Sequence, residues 1–554
     1  MDQQDTVFSR VVSALSMLGF AAVTGFAIYA WDSLSDGEWI ALLSAAWLLF
    51  VVGTLPHLPK PASATSRGIV NAAFVLTTIF ALLTLQLARV QVFSSDDITH
   101  RIGRDEASDE TLGNPRLVRA DLTSSRGAIL DRDGEVIAES NSAVGSIERI
   151  YPNPATAYVA GYYSPLLYGK SGLEASHDDE LRGAAGGNPI EETLDDLLGR
   201  EAEGNDLVLT LDATLQELAH NLLAGRPGAV VVINVQTGAV ITLASNPNYD
   251  PNQLDVLTEG DRDAAEAYWA ILTDDPSRPL LLRATQGLFT PGSTFKVVTA
   301  AAAVDVGHAG PDTVYRDDGS LNVDGHIIVE PNRPDDSIDE WTLADGIAFS
   351  LNVVLAQVGL DLGADRLRDY ARRFGFDKNV PFELPVATSR VASSDDFLES
   401  SPALADTAFG QGQLQVAPLL MAMVVGAVAN AGTLMEPYIV ERVTDPDGET
   451  HEQHDPEVWN RPISAESADQ VEGMMVNAVV NGSVGGAAVP GFVVGGKTGT
   501  AETSQDEPHS WFIGFIGDSE PKYAVAVVLE HGGVGTAQSV TIGREMLAAA
   551  MSED

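Results

Sequence analysis

The chain has 554 residues and a formal net charge of −46, because 78 aspartates and glutamates outweigh 32 lysines and arginines. Charged residues make up 20% of the chain, below the usual share of about 25%, so the imbalance reflects missing base, and a basic face for nucleic acid or an anionic membrane surface is not expected. The absence of cysteine excludes disulfides, thiolate catalysis, cysteine zinc sites and iron–sulfur clusters.

Three apolar segments near the N-terminus predict membrane-spanning helices, at 11–30, 39–55 and 68–88. About 20 apolar residues suffice for a helix to cross a bilayer. A cleaved signal peptide is the alternative for the first segment, but its flank is acidic and two more apolar segments follow. Cations flank the first segment and lie in the 56–67 loop, so the positive-inside rule places the N-terminus in the cytoplasm. We therefore expect a multi-pass protein of the cell membrane, with everything after Arg89 outside the cytoplasm.

The region that follows, residues 89–227, is predicted to form a mostly extended domain, which we call the pedestal. Residues 95–118 are polar and acidic and are typical of a linker. Residues 126–140 hold two alternating apolar runs around an Asp-Gly turn, which indicates a β-hairpin. The segment 176–206 is rich in Gly, Asp and Glu and is predicted to be loop with one short helix.

Residues 228–554 mix predicted strands with apolar helices, and a shift in composition near Gly228 marks the predicted boundary. A helix over 211–224 precedes two strands within 229–245. The later elements are helices at 295–306, 342–360 and 417–430 and strands at 491–496, 511–516 and 523–530. Two early strands, then helices, then closely spaced strands favour an α+β fold in which helices pack on a mainly antiparallel sheet.

The first motif with chemical meaning is Ser293-Thr-Phe-Lys296, which follows a Pro-Gly pair at the start of a predicted helix. Residues three apart share a helix face, so the Lys296 amine is predicted to face the Ser293 hydroxyl. A lysine serves as a base only when neutral, and burial near another cation lowers its pKa towards that state. Alone the motif is weak. Ser519 and Lys522 repeat it in a predicted turn, and a helix-start serine with a surface lysine is the ordinary alternative.

Two further motifs strengthen the first. Ser350-Leu-Asn352 offers a second hydroxyl and a carboxamide to the same cleft. The ordinary alternative is a pair of polar residues at a helix start, which would give the same sequence pattern. Lys497-Thr498-Gly499-Thr500 ends a predicted buried strand and suits a carboxylate ligand, with Gly499 allowing close backbone approach. Its ordinary alternative is a strand-end turn with a solvated lysine. The chain has only six lysines, and two occupy motif positions. Arginine cannot deprotonate to act as a base, which favours a catalytic lysine.

The order S-x-x-K, S-x-N, K-T-G is the motif set of penicillin-binding proteins and class A β-lactamases. Over roughly residues 89–554 the chain resembles class B penicillin-binding proteins, the monofunctional D,D-transpeptidases of peptidoglycan synthesis. Further similar segments lie at 126–138, 171–183, 228–252, 409–432 and 510–516. Residues 149–165 are most similar to the actinobacterial branch of that class.

The resemblance implies three parts. Residues 1–88 would form the membrane anchor, 89–227 a pedestal like the class B dimerisation domain, and 228–554 a penicilloyl-serine transferase domain. The transferase domain would contain a mainly antiparallel five-stranded sheet flanked by helices. The class usually has one anchoring span, so the three predicted here depart from its pattern.

The resemblance also assigns roles to the first two motifs. Ser293 would attack the penultimate D-Ala carbonyl of a stem pentapeptide and form an acyl-enzyme. Lys296 would take the serine proton, and Ser350 would pass a proton to the leaving amine. Asn352 would hold Lys296 and the substrate backbone.

For the third motif the resemblance implies binding roles. Lys497 would polarise the site, while Thr498, Gly499 and Thr500 would bind the terminal carboxylate of the substrate. The backbone N–H groups of Ser293 and Thr500 would form the oxyanion hole.

The implied partners are stem peptides, with a D-Ala-D-Ala donor and an amine acceptor, β-lactam antibiotics, and a SEDS-family glycan polymerase in the membrane. No metal, cofactor or nucleic acid is implied. A catalytically inactive cell-wall scaffold stays an alternative. A membrane-anchored serine β-lactamase is another, but no glutamate in an E-x-x-L-N context follows Ser350. Finally, the acidic surplus predicts a salt-rich environment, in which salt screens the repulsion between carboxylates.

Overall fold

The computed structural model describes residues 2–29, 36–54, 57, 63–88, 103–104, 111–112, 125–143, 146–183, 204–256, 259–394, 396–502, 507–533 and 536–552. The chain forms two compact units, Met1–Val118 and Arg119–Asp554. Most of the predicted linker 95–118 and much of the predicted loop 176–206 lie outside the described residues. The domain boundaries at 88/89 and 227/228 stay predictions.

Three helices dominate the first unit. They run over Asp2–Tyr29, Asp36–Thr54 and Ala64–Ala88. Phe50 packs between the other two helices, with its ring centroid 5.3 Å from that of Phe20 and 6.1 Å from that of Phe74. Two short strands, Gly103–Arg104 and Thr111–Leu112, pair antiparallel. Among the described residues no helix is both long and apolar enough to cross a membrane. The predicted transmembrane helices at 11–30, 39–55 and 68–88, and with them the multi-pass anchor, are therefore not supported.

A six-stranded sheet organises the pedestal side of the second unit. In spatial order its strands are Thr450–Gln453, Val440–Thr444, Asp206–Leu209, Ile129–Leu130, Val136–Ala143 and Ser146–Ile150. The predicted Asp-Gly hairpin is confirmed by the antiparallel pairing of Ile129–Leu130 with Val136–Ala143. Two strands of this sheet come from beyond residue 228. The pedestal and the region after residue 228 are thus joined by backbone hydrogen bonds.

A buried ion cluster ties this sheet to short helices beside it, at Ala157–Ala160, Gly172–Ser176 and Asp178–Leu181. The fully buried Glu174 carboxylate accepts from Arg126 Nε at 2.8 Å and from Arg149 Nε at 2.6 Å. Burial alone would raise the pKa of Glu174, but the two guanidinium groups hold that pKa below its usual value. The short strands Tyr163–Ser164 and Gly169–Lys170 form a hairpin nearby.

A five-stranded antiparallel sheet forms the centre of the region after residue 228. In spatial order its strands are Val240–Asn246, Gly228–Asn234, Pro521–Leu529, His509–Gly517 and Val493–Ala501. Successive residues of the strand Gly228–Asn234 point to opposite faces of the sheet. Val231 belongs to one hydrophobic cluster and Val230 to a second, separate cluster. Both faces are therefore covered. The predicted mainly antiparallel five-stranded sheet flanked by helices is confirmed.

The remaining described helices of the second unit extend over Ala213–Leu223, Glu259–Asp274, Arg283–Gln286, Lys296–Asp305, Leu343–Ala348, Asn352–Leu362, Ala364–Arg373, Ser401–Ala408, Pro418–Ala429, Ala465–Val480 and Ala537–Ser552. Three short antiparallel pairs join Val314–Arg316 to Glu340–Thr342, Ser320–Val323 to His326–Val329, and Leu434–Met435 to Val458–Asn460. The prediction of one helix over 342–360 is wrong, because the chain breaks between Ala348 and Asn352. Ser350, in the break, has a φ of +64°, which an α-helix cannot contain.

Candidate active site

Ser293 lies in a tight 3-10 turn that leads directly into the helix Lys296–Asp305. The turn, Gly292–Phe295, begins with a glycine at φ +55°. A Cβ on Gly292 would lie 2.6 Å from the Thr500 carbonyl oxygen, so a side chain there would collide with the strand Val493–Ala501. The buried Trp511 indole N–H donates to the Thr290 carbonyl at 2.9 Å and holds the chain just before the turn. The position of Ser293 is therefore set by its neighbours, while the residue itself is half-buried.

Lys296 is completely buried and connects the first motif to the second. Its Nζ donates to the Ser350 carbonyl oxygen at 2.6 Å, to Asn352 Oδ1 at 2.8 Å and to Ser350 Oγ at 3.3 Å. Within the described residues no hydrogen bond joins Nζ to the Ser293 hydroxyl, which is the direct contact expected from the sequence. The two residues still share one side of the turn, because side chains three apart in a 3-10 helix eclipse each other.

Ser350 Oγ is the point where both motif lysines meet. Lys497 Nζ donates to it at 2.7 Å and to the Thr498 carbonyl oxygen at 3.0 Å. Lys497, like Lys296, has no exposed surface. Hydrogen bonds therefore join Asn352, Lys296, Ser350 and Lys497, one or two residues from each of the three motifs, in one buried network.

The third motif lies inside its strand, not at its end. The strand extends over Val493–Ala501, with Lys497 opposite Ile513 and Thr500 opposite Ser510. The predicted strand 491–496 ends too early, because backbone pairing with the neighbouring strand continues through the motif. Thr498 is 8% exposed and Thr500 is half-buried.

Gly499 has a packing role that the sequence did not indicate. A Cβ at this position would lie 2.7 Å from the Pro291 carbonyl oxygen and 3.0 Å from Thr294 Cγ2. The closest atoms therefore belong to the turn that carries Ser293. Glycine allows the strand and this turn to touch, which brings the backbones of Ser293 and Thr500 onto adjoining segments.

The electrostatics favour a neutral lysine at the first motif. Burial lowers the pKa of Lys296 to about 7, against the opposing influence of the Glu330 carboxylate. Burial, and then the positive charge of Lys296, lower the pKa of Lys497 well below its ordinary value. A neutral amine has two N–H donors and one lone pair, and two acceptor oxygens, Ser350 O and Asn352 Oδ1, lie in reach of Lys296. In the neutral form the third and longest contact, to Ser350 Oγ at 3.3 Å, is no longer a donation from Lys296, and the lone pair can accept a proton near neutral pH.

The sequence interpretation missed Glu330 and Asn332, in the segment between the first and second motifs. Glu330 is 7% exposed and Asn332 Nδ2 donates to the Ser350 carbonyl oxygen at 3.1 Å. The sequence shows Glu330 only as an acid directly after the apolar strand His326–Val329. This position does not reveal that the Glu330 side chain is buried. Across the described part of the chain, no group of three or more histidine, aspartate or glutamate side chains is arranged to hold a metal ion.

Residues 228–552 match the penicillin-binding protein transpeptidase domain, and residues 126–207 match the penicillin-binding protein A dimerisation domain. The chain belongs to the penicillin-binding protein transpeptidases. A dimerisation domain followed by a transpeptidase domain confirms the resemblance to class B.

Several penicillin-binding proteins are similar to this chain over most of its length. It is 33% identical to the peptidoglycan D,D-transpeptidase PbpA of Mycolicibacterium smegmatis over 512 residues, which cover 86% of this chain and 98% of that protein. The ceftriaxone acyl-enzyme of penicillin-binding protein A from M. tuberculosis superposes with a TM-score of 0.72 at 31% identity, over 78% of this chain and all of that one. The D,D-transpeptidase domain of a peptidoglycan glycosyltransferase from Eggerthella lenta superposes with a TM-score of 0.68 at 33% identity. The superposition covers 77% of this chain and 99% of that one. The mycobacterial relatives confirm the actinobacterial resemblance.

Proposed function

We propose that the protein is a serine D,D-transpeptidase that cross-links peptidoglycan stem peptides through an acyl-enzyme on Ser293 and is acylated by β-lactams at the same atom. The observation that carries the proposal is the buried network in which Lys296 and Lys497 both contact Ser350 Oγ, at 3.3 and 2.7 Å. Such a network supplies a base beside the nucleophile and a proton path to a leaving group. The matched PbpA relatives are named as peptidoglycan D,D-transpeptidases.

Acylation starts when the Ser293 hydroxyl attacks the penultimate D-Ala carbonyl and Lys296 accepts the serine proton. A C–O bond forms, and the oxyanion is held by the backbone N–H groups of Ser293 and Thr500. Collapse of this intermediate breaks the C–N bond, and the Ser350 hydroxyl gives its proton to the leaving amine. Ser350 recovers a proton from Lys296 along the 3.3 Å contact, which returns the lysine to its neutral form.

Substrate binding falls to the remaining motif residues. Lys497 places positive charge in the site, and the Thr498 and Thr500 hydroxyls, with the close-packed backbone at Gly499, bind the terminal carboxylate. The Asn352 carboxamide uses its oxygen on Lys296, so its NH₂ group is left to bind the substrate backbone. An amine of a neighbouring stem peptide then attacks the acyl-enzyme carbonyl, so that a C–N bond forms and the C–O bond to Ser293 breaks. The proton lost by the amine returns to the Ser293 oxygen, which completes the cross-link and restores the free enzyme.

The site of action follows from the substrate. Stem peptides are cross-linked outside the cytoplasm, so the transferase region works there, and a SEDS-family glycan polymerase is the partner that supplies new strands. Labelling of intact cells by a fluorescent penicillin that does not enter the cytoplasm tests this location. Labelling only after lysis would contradict it.

The activity is tested by labelling the full-length protein with fluorescent penicillin, alongside Ser293→Ala and Ser519→Ala. Ser519 is a matched control, because it begins the second S-x-x-K but is exposed in a turn. We expect the wild type and Ser519→Ala to be labelled and Ser293→Ala to stay unlabelled. An unlabelled wild type would favour the inactive scaffold, and rapid hydrolysis of the adduct would favour a β-lactamase. Release of D-Ala from a pentapeptide, dependent on an added amine, would identify the transferase.

A further inference from the structure

Glu330 is a buried acid to which the mechanism above assigns no role. It directly follows the strand His326–Val329, between the first and second motifs. Its Oε2 accepts from the Val353 backbone N–H at 2.9 Å, and its Oε1 accepts from the Asn332 backbone N–H at 3.0 Å. Both oxygens are thus engaged by backbone donors, which fixes the orientation of the carboxylate.

Both groups that donate to Glu330 connect it to the chain around Ser350, the break between the helices that end at Ala348 and begin at Asn352. Val353 is in the first turn of the helix Asn352–Leu362, directly after the motif residue Asn352. Asn332 donates from Nδ2 to the Ser350 carbonyl oxygen at 3.1 Å, the same oxygen that accepts from Lys296. Ser350 has a φ of +64°, a conformation that a serine keeps only when its surroundings hold it.

Glu330 also places a carboxylate near the buried Lys296. It opposes the fall that burial causes in the pKa of Lys296. Within the described residues no ion pair joins the two side chains, so the influence acts through space. Burial raises the pKa of Glu330 and the charge of Asp317 adds to that rise, while the backbone hydrogen bonds and the charge of Lys296 oppose it. The other charged group near this pair is Lys497, which lies beside Lys296.

We propose that Glu330 is a positioning residue of the transpeptidase, which holds the chain around Ser350 through Asn332 and Val353 and keeps a negative charge near the buried Lys296. The inference rests on the proposed function and deepens it. The carboxylate stabilises the proton on Lys296 between the two halves of acylation. It also offsets part of the cost of burying a protonated Lys296, because a lone buried charge is strongly disfavoured.

The test measures the rate constant for acylation of the full-length protein by fluorescent penicillin as a function of pH. The variants are Glu330→Gln, which removes the charge, and Glu330→Asp, which keeps the charge but shortens the side chain by one methylene. Glu340→Gln is the matched control, because Glu340 is an exposed acid in the same segment. Thermal unfolding of each variant is measured in parallel.

Removing the negative charge lets Lys296 lose its proton more easily, so the rising limb of the Glu330→Gln profile should move to lower pH by about one unit. Glu330→Asp should keep the midpoint but acylate about tenfold more slowly, since its carboxylate is withdrawn from Val353 and Asn332. Glu340→Gln should behave as the wild type. A folded Glu330→Gln variant with an unshifted midpoint would overturn the proposal, because a merely structural residue changes the rate and not the midpoint.

If Glu330→Gln does not fold, Glu330→Asp decides the matter, and a wild-type rate in that variant overturns the proposal. A wild type that hydrolyses its adduct, with Glu330→Gln prolonging it, would also overturn it, because Glu330 would then activate water. An unlabelled wild type would instead refute the transpeptidase function, so the two failures are distinguishable.

Discussion

Replacing Lys296 by methionine should abolish acylation and yet stabilise the folded protein at pH 7. Methionine has a similar length and is apolar, which suits a side chain with no exposed surface. The pKa of Lys296 falls from 10.5 to about 7 on folding. Since one pKa unit corresponds to about 1.36 kcal/mol, burial of the protonated lysine costs at most about 5 kcal/mol at neutral pH.

The lost hydrogen bonds offset part of this gain. Ser350 O keeps its bond from Asn332 Nδ2, whereas Asn352 Oδ1 loses its donor, at a cost of about 1–3 kcal/mol. We therefore expect a net stabilisation of about 2 kcal/mol at pH 7. The unfolded chain binds more protons than the folded one between pH 7 and 10.5, so the wild type gains stability as pH rises through that window. Near pH 9 the sign should reverse, because the burial cost has by then fallen to about 2 kcal/mol, and at higher pH the variant is the less stable protein.

The assay compares thermal midpoints at pH 7 and pH 10 with the rate of acylation. At pH 7 the midpoint of Lys296→Met should rise by about 2–3 °C, while acylation falls by about 10² to 10⁴. Lys378→Met is the matched control, because Lys378 is exposed. Its free energy of unfolding should differ from that of the wild type by no more than about 0.5 kcal/mol, so its thermal midpoint should hardly change. A variant that melts below the wild type at pH 7, or a difference that is the same at both pH values, would refute the reasoning.

Other predictions follow from the same geometry. Gly499→Ala places a Cβ 2.7 Å from the Pro291 carbonyl oxygen, so penicillin labelling should fall at least about tenfold. The control Gly473→Ala has open space around its new Cβ and should be labelled like the wild type. Equal labelling of the two variants would contradict the packing role of Gly499. Trp511→Phe removes the indole donor to Thr290 O and should lower the unfolding free energy by about 1–3 kcal/mol in urea titrations, and an unchanged midpoint would count against it. The wild-type acylation rate should rise with pH to a half-maximum near pH 7, because Lys296 with a pKa of about 7 must be neutral to act; a flat profile would exclude this base. With a net charge of −46, thermal stability should increase with salt, and a salt-independent midpoint would refute the salt-adaptation hypothesis.

The motif residues were predictable from the sequence because each motif pairs residue types with a fixed spacing. The residues that surround the motifs could not be predicted from the sequence. Apolar periodicity runs through 342–360 without interruption, so nothing local marks the break at Ser350, which depends on contacts from Lys296 and from Asn332. Glu330 was missed for the same reason, since an acid becomes a buried hydrogen-bond acceptor only through its place in the fold.

The sheets show a similar division. The central five strands were predictable from apolar runs and their order along the chain. The pairing of Val440–Thr444 with Asp206–Leu209 was not, because strand partners more than two hundred residues apart leave no local signal. Hydrophobic length alone also suggested three membrane spans, an expectation that the described helices do not support.

The most direct test of the account is peptide mapping by mass spectrometry after incubation of the full-length protein with benzylpenicillin at pH 7. We predict a single adduct with the mass of one intact penicillin, located on the peptide that contains Ser293 and absent from the Ser293→Ala variant. No adduct on the wild type, or an adduct that persists in Ser293→Ala, would contradict it.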